Sequence, residues 1–418
     1  MNRLTDKKPA ETDALPSEHQ WPNRKRSLVG ACVAHALHDG YTDGLYAFLP
    51  VWQMQFGLSY AALAVIRALY YGTMGGFQIP ADAALRVLPA RSALVLSTLV
   101  AAAGLTIMAL PFGVPGLCAG LIVAGIGSSI QHPRGSLLVI ESYGAASRRP
   151  LGIYNFSGDL GKSLLPAIVA LLLPLFAWRA VLGLMALLGI ACAAALVQLV
   201  PGRQSSTMGP AAPARGAMRA RKGFGILTAI GALDTATRTG YLLFLPFLIH
   251  VRHGGSPTVG IALALLFTGG AFGKATCGWL GQRFGVVNSV VFTEMVTAVL
   301  IAATVFTPLM LTLALLPLLG IVLNGTSSIL YATVPELVDG DKGRAFAIFY
   351  TSVIGAGGVA PILFGSLADH STQTVGMLAA AATAVTIVPL ALALRAWLPG
   401  QSADMHCAAL EGDSPASR

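Results

Sequence analysis

The sequence predicts an all-α membrane protein of twelve transmembrane helices arranged as two six-helix bundles. Three observations carry the prediction. Only 11% of the 418 residues are charged and 55% are hydrophobic, with a mean hydropathy of +0.70, whereas a soluble domain carries roughly 25% charged residues. Most of the surface must therefore face lipid, which excludes an ordinary soluble enzyme. The length holds about twelve spans at roughly 20 residues each plus short connections. The third observation is that the second half of the chain repeats the pattern of the first. The net charge of +9 then calls for a membrane reading before a nucleic-acid one.

Apolar runs punctuated by Gly, Pro and charge place six spans near 27–50, 60–82, 92–111, 115–140, 150–174 and 178–199. Six more fall near 224–249, 257–281, 287–308, 310–334, 344–368 and 373–397. The expected plan is a cytoplasmic tail over 1–26, a first bundle over 27–199, a linker over 200–223, a second bundle over 224–398 and a cytoplasmic tail over 399–418. The linker is rich in Gly, Pro, Ala and Ser, and carries Arg203, Arg215, Arg219, Arg221 and Lys222 without an acid. The first apolar run has no Ala-x-Ala-like cleavage site, so a retained span rather than a signal peptide is expected. If both termini are cytoplasmic, twenty of the 27 Lys and Arg fall on that side. The expected location is the inner membrane, multi-pass. Trp21, Trp52, Trp178, Trp279 and Trp397 lie near predicted span ends, where interfacial anchors belong.

The halves match in order. Gly44-Leu-Tyr-Ala-Phe-Leu-Pro50 in span 1 corresponds to Gly240-Tyr-Leu-Leu-Phe-Leu-Pro246 in span 7, and Gly127-Ser-Ser-Ile130 in span 4 to Thr326-Ser-Ser-Ile329 in span 10. The stretch Arg149 to Pro166 matches Arg344 to Pro361 with equal spacing. Such ordered correspondence is the mark of a parallel duplication. The chain over about 27–398 resembles the major facilitator superfamily, and that resemblance implies two six-helix bundles around a cavity opening alternately to each side. Gly125-Ile-Gly-Ser-Ser-Ile-Gln-His-Pro133 and Tyr154-Asn-Phe-Ser-Gly-Asp-Leu-Gly-Lys162 are similar to the fosmidomycin-resistance branch and its relatives. The superfamily's loop after span 2 usually runs Gly-x-Leu-x-Asp-Arg-x-Gly-Arg; here Ala81 to Arg91 lacks the Gly and the Asp-Arg pair, and Gly278 to Gly285 has Gln282 in place of the acid. The resemblance implies a cytoplasmic latch that is weaker or built differently. Span 5 has Gly158, Gly161 and Pro166 in place of the Gly-Pro pair of drug antiporters.

Ionisable side chains within a span cost about 2.5–3.5 kcal/mol each on insertion scales, so each should pair or face a wet cavity. In span 1, His35, Asp39 and Asp43 stand at i,i+4 and form one stripe. Two carboxyls and an imidazole so placed suit proton or cation coupling, because each can take up and release a proton; the resemblance, which makes span 1 cavity-lining, points the same way. The alternative is a lock in which an aspartate pairs with a base such as Arg67. Arg67 in span 2 reads as an anion-binding group, as the counter-ion of Asp43, or as a snorkelling residue. His132-Pro133-Arg134 in span 4 suggests a broken backbone ladder and an arginine able to hold a carboxylate or phosphonate; otherwise Arg134 belongs to the inner interface.

Span 5 offers Asp159 and Lys162 at i,i+3, with Tyr154 and Asn155 nearer the cytoplasm. A substrate or proton role is suggested because the matching positions of span 11, near Ile354 and Gly357, carry no charge; a static pair orienting span 5 is the competing reading. Asp234 and Arg238 stand at i,i+4 in span 7 and are most simply a self-neutralising pair, with substrate contact as the other reading. Lys274 in span 8 has no acid within reach on its own helix, and so needs a cross-helix partner or an anionic ligand. Glu294 lies in span 9, usually a peripheral helix.

Five scattered cysteines form no pair or His/Cys cluster, so neither a disulfide framework nor a metal site is expected. The Gly-rich stretches contain no P-loop, and no nucleophile with its base is present. No cofactor, nucleic-acid partner or enzymatic activity is expected. The partners are a small-molecule substrate, protons and the bilayer, with the chain a monomer. The resulting expectation is a secondary transporter of a small organic solute, an anion being one reading of its charge, exporting it with proton coupling, with proton-coupled uptake as the alternative. A transport-inactive sensor or scaffold is the reading of another class. The residues expected to act are His35, Asp39, Asp43 and Asp159 for protons, and Arg67, His132, Arg134, Tyr154, Asn155, Lys162, Asp234, Arg238 and Lys274 for the solute.

Overall fold

The computed structural model of the chain describes residues 20–85, 87–202, 219–220, 222–339 and 341–398. The expected tails, apart from 20–26, and the linker stretch 203–218 lie outside the described residues, as does Cys407. Span 1 is built from α1 (Gln20–Gly44), a 3-10 turn (Leu45–Phe48) and α2 (Leu49–Phe56). It starts inside the expected tail, because Arg24, Lys25 and Arg26 are good helix formers and the helix runs on past the apolar stretch. Span 2 is α3 (Tyr60–Gly76) followed by α4 (Gln78–Leu85); α5 (Ala90–Ala109), α6 (Gly113–Tyr143), α7 (Arg148–Leu172) and α8 (Trp178–Leu199) complete the first bundle. The second consists of α9 (Lys222–Val251), α10 (Ser256–Phe284), α11 (Val286–Phe306), α12 (Leu309–Thr333), α13 (Lys342–Asp369) and α14 (Gln373–Leu394). Arg219–Ala220 pairs antiparallel with Val338–Asp339, joining the start of the second bundle to the loop before α13.

Among the described residues, eight helices are long and apolar enough to cross a membrane. The spans outside that set are 1, 2, 5 and 7. Spans 1, 5 and 7 each place two charged side chains in the membrane stretch, Asp39 with Asp43, Asp159 with Lys162 and Asp234 with Arg238, and span 2 is divided between two shorter helices. The polarity that weakens their hydropathy is the polarity that builds the site.

The duplication reappears in the packing. In the first bundle α1 packs on α7, α3 on α6 and α5 on α8; in the second, the corresponding contacts are α9 on α13, α10 on α12 and α11 on α14. The bundles meet where α7 packs on α10 and α3 on α13. Small residues allow these close approaches: Gly161 of α7 lies against the Ala36 carbonyl of α1, and a Cβ at Gly260 of α10 would lie 2.6 Å from Ala170 of α7. At the end of the molecule away from the described chain ends, the Asp369 carboxylate accepts hydrogen bonds from the backbone N–H of Tyr60 (2.8 Å) and Ala61 (2.9 Å). A side chain ending α13 thus caps the first turn of α3 in the other bundle. Trp52 and Trp178 are buried rather than interfacial: Trp52 stacks on Phe48 and meets Trp178 edge-on, because the extension of span 1 to Phe56 carries Trp52 into the bundle. Trp279 and Trp397 are exposed, as membrane anchors would be.

Candidate functional site

A cavity of about 480 Å³ lies between the two bundles. From the first bundle His35, Asp39 and Asp43 of α1, His132 of α6, and Asn155 and Lys162 of α7 reach its wall. From the second come Asp234 and Arg238 of α9, Lys274 of α10, and Asn324, Ser327 and Ser328 of α12, with Tyr71, Tyr331 and Tyr350 between. Nine of the thirteen residues expected to act therefore line the cavity, all but Arg67, Arg134, Tyr154 and Asp159.

Asp39 is the hub of the first half. Its Oδ2 lies 3.2 Å from His35 Nε2 and 3.3 Å from Lys162 Nζ, and its Oδ1 lies 3.7 Å from His132 Nε2. The i,i+4 stripe read from span 1 supplies His35, and helices α6 and α7 supply the rest. Tyr154 is buried beneath this cluster, with its ring 4.1 Å edge-on to His35 and its hydroxyl donating to the His132 carbonyl at 3.4 Å; it supports the imidazole and does not line the cavity. Donor atoms of His35, Asp39 and His132 lie within 4.8 Å of one another, the one grouping of three metal-ligating side chains among the described residues. Sequence spacing could not find it, since α6 contributes the third member. The Lys162 ammonium already supplies a cation to Asp39.

Asp159 and Lys162 do not pair with each other. Lys162 turns to Asp39, while Lys274 donates to both oxygens of Asp159 at 2.6 and 2.9 Å, so the span 5 charges are held by other helices. An i,i+3 pair is worth only a few tenths of a kcal/mol, less than the cost of leaving a buried partner alone. Asp159 is buried behind Lys274, and their bond joins the two bundles. Asp43 meets Arg67 at 3.6 Å, a charge contact rather than a hydrogen bond. Arg67 is buried over the Tyr46 ring at 4.3 Å and stands away from the main cavity, so the counter-ion reading describes its position and the anion-binding reading does not. Arg134 also leaves the cavity: its guanidinium donates to the carbonyls of Leu85 and Leu88 at 2.9 and 2.6 Å. Helix α6 runs on through Pro133, and Arg134 clamps the connection after span 2, where the usual loop motif is missing.

Asp234 and Arg238 form no ion pair. The Asp234 carboxyl is hydrogen-bonded to the carboxyl of Glu294 on α11, which also reaches Thr326 of α12. Sequence reasoning set Glu294 aside because its helix is peripheral; its being an acid in an otherwise apolar span was the available signal. His38 is likewise fully buried, bonded through Nδ1 to Ser128 (2.9 Å) and through Nε2 to Thr98 (3.3 Å), and is structural. Asn324, Ser327 and Ser328 were missed because single polar groups in an apolar span carry no charge to attract notice.

The Major Facilitator Superfamily profile matches residues 31–233 and 227–404. The chain belongs to the major facilitator superfamily. It is a multi-pass membrane transporter and not an enzyme. Among relatives of this major facilitator are the fosmidomycin resistance protein of Escherichia coli (strain K12), 22% identical over 360 residues, covering 82% of this chain and 87% of that protein. The MFS-type transporter YfnC of Bacillus subtilis (strain 168) is 26% identical over 368 residues, covering 85% and 88%. Among solved structures, a bacterial homolog of the human lysosomal transporter Spinster, in an inward-facing and occupied conformation, has a TM-score of 0.76 at 15% identity, covering 91% of this chain and 98% of its own. A POT family transporter in complex with 5-aminolevulinic acid has a TM-score of 0.70 at 12% identity, covering 90% and 96%. These likenesses establish the fold.

Proposed function

We propose that this facilitator moves a small organic anion across the inner membrane by alternating access, coupled to protons, with both termini in the cytoplasm. The observation that carries the reading is the Asp39 cluster on the wall of a cavity lined by both bundles. Asp39 is the carboxylate through which Lys162, His35 and His132 are held, so protonating it would loosen the wall where a solute would sit. Lys162, Arg238 and Lys274 bring positive charge to the same space, which favours an anionic solute. The intramembrane acids fit an ion gradient as the energy source. Cytoplasmic termini are supported by the distribution of Lys and Arg.

Export is the direction supported by the name of the Escherichia coli relative. Uptake is the second reading, and Arg238 favours it: an unpaired cation in the cavity attracts an anion most when nearby acids are protonated, which loads both together. The test is a proteoliposome assay with an imposed pH gradient of either sign and a panel of organic anions, drugs and sugars, in wild type and Asp39→Asn. Gradient-driven movement of an anion, lost in Asp39→Asn, is expected. Absence of both solute movement and solute-driven proton flux across the panel would overturn the proposal.

A further inference from the structure

The second bundle places a guanidinium and a carboxyl pair one turn apart. Asp234 and Arg238 both reach the cavity from α9. Asp234 turns from Arg238 to Glu294, and both acids are buried, at 3% and 1% exposure. A hydrogen bond between two carboxyl groups needs a proton on one of them, so the pair carries one negative charge when singly protonated. Arg238 is half-buried and makes no hydrogen bond or ion pair with any described residue. Its electrostatic neighbours are Tyr71 of α3, Asp234 of its own helix, Tyr331 of α12 and Asp43 of α1, the last already engaged by Arg67. Around the carboxyl pair stand Arg238, Thr326 and Tyr331, with Cys277 of α10 behind; α14 carries no ionisable side chain.

The duplication adds an independent reason to assign the pair a function. The match of Gly44 to Gly240 sets His38 opposite Asp234, and the helix starts Ala90 and Val286, which stand at the same offset, set Thr98 opposite Glu294. In the first bundle these positions hold a neutral network, His38 bonded to Thr98 and Ser128, that joins the same three spans. Packing at this place therefore does not require acids.

We propose that Arg238 is the anion-binding group of the cavity and that the proton state of Asp234 and Glu294 controls it, so that the anion and a second proton load together. This deepens the uptake reading above, in which anion and proton are carried together, and rests on it. With one shared proton, the pair and Arg238 sum to zero charge. A second proton leaves Arg238 uncompensated and ready for a carboxylate or phosphonate; by reciprocity, a bound anion draws that proton in.

The test uses the purified full-length protein in detergent, weakly buffered with a pH-sensitive dye, and methylphosphonate and acetate as probes. Proton uptake on adding a probe is expected in wild type. Arg238→Gln should weaken the response roughly 10- to 100-fold in probe concentration, the worth of a charge-assisted hydrogen bond. Arg238→Lys should recover part of it, which separates lost charge from lost folding. Asp234→Asn combined with Glu294→Gln, which leaves no carboxyl to protonate, should bind the probe without proton uptake. No uptake in wild type with either probe, or an equal response in Arg238→Gln, overturns the inference. In proteoliposomes, gradient-driven anion movement that is unchanged in Arg238→Gln would sink the inference and leave the transport reading standing; no movement in wild type would sink the transport reading itself.

Discussion

Lys274 of the second bundle grips Asp159 of the first through both carboxylate oxygens, at 2.6 and 2.9 Å. The bond crosses the interface between the bundles, where α7 packs on α10. Each partner is the other's hydrogen-bonded neutraliser, so removing either leaves a charge at the interface. Asp159→Asn and Lys274→Met should each lower transport at least roughly tenfold, whereas the exchanged pair Asp159→Lys with Lys274→Asp should recover a substantial part, a non-additivity that a double-mutant cycle reads directly. Additive losses would show that the two act separately.

Asp39→Asn keeps the shape of the hub and removes its charge. Lys162 then loses its nearest carboxylate, and the His35 and His132 imidazoles lose theirs. Transport driven by a pH gradient should fall below about a tenth of wild type, while exchange of labelled for unlabelled solute across the same vesicles persists. That pattern is expected of a coupling group, whose loss removes the driving force without closing the path. Equal loss of exchange would assign Asp39 to solute binding or folding instead.

Gly158 is the place where α7 comes closest to the hub. A Cβ there would collide with the His35 ring and the Asp39 carboxylate. Gly158→Ala should abolish gradient-driven transport by displacing the imidazole, with a thermal unfolding midpoint within about 8 °C of wild type, the most that about 2 kcal/mol shifts a chain of roughly 150–250 residues and more than it shifts a longer one. Unimpaired transport would show that the hub tolerates displacement.

The Asp369 cap ties the bundles at the end away from the described chain ends. Asp369→Ala should cost about 1 kcal/mol of the closed arrangement, a roughly fivefold shift in population, as loss of a helix cap does. Labelling of a cysteine introduced at Thr42 on the cavity wall, from the side of that end, should accelerate accordingly. An unchanged labelling rate would mean that the cap does not hold the end shut.

Much of the architecture was legible before any coordinate. Span order, the duplication and the cavity-lining character of Asp39, Asp43, Lys162 and Lys274 follow from the cost of charge in lipid, which leaves few places for each side chain to go. Pairing was less legible. Asp159 with Lys162 and Asp234 with Arg238 both have helical spacing, yet each of these acids bonds to another helix, because spacing along one helix says nothing about what a neighbouring helix presents. Arg134 shows the same limit in the other direction: its position in a span suggested the cavity, but the carbonyls at the end of α4 claim it. Trp52 moved from interface to core when span 1 proved longer than its apolar run.

The Asp369 carboxylate does more than hold two bundles together. With Ser59 accepting from the N–H of Ala62, the first three amides of α3 are all satisfied, two of them by the opposite bundle. When that end parts, the amides of Tyr60 and Ala61 lose their carboxylate and turn to water, while Ala62 keeps Ser59. Hydration therefore enters the rate of the opening step, and excluded osmolytes placed on that side alone should slow the transport cycle while leaving the opposite gate untouched.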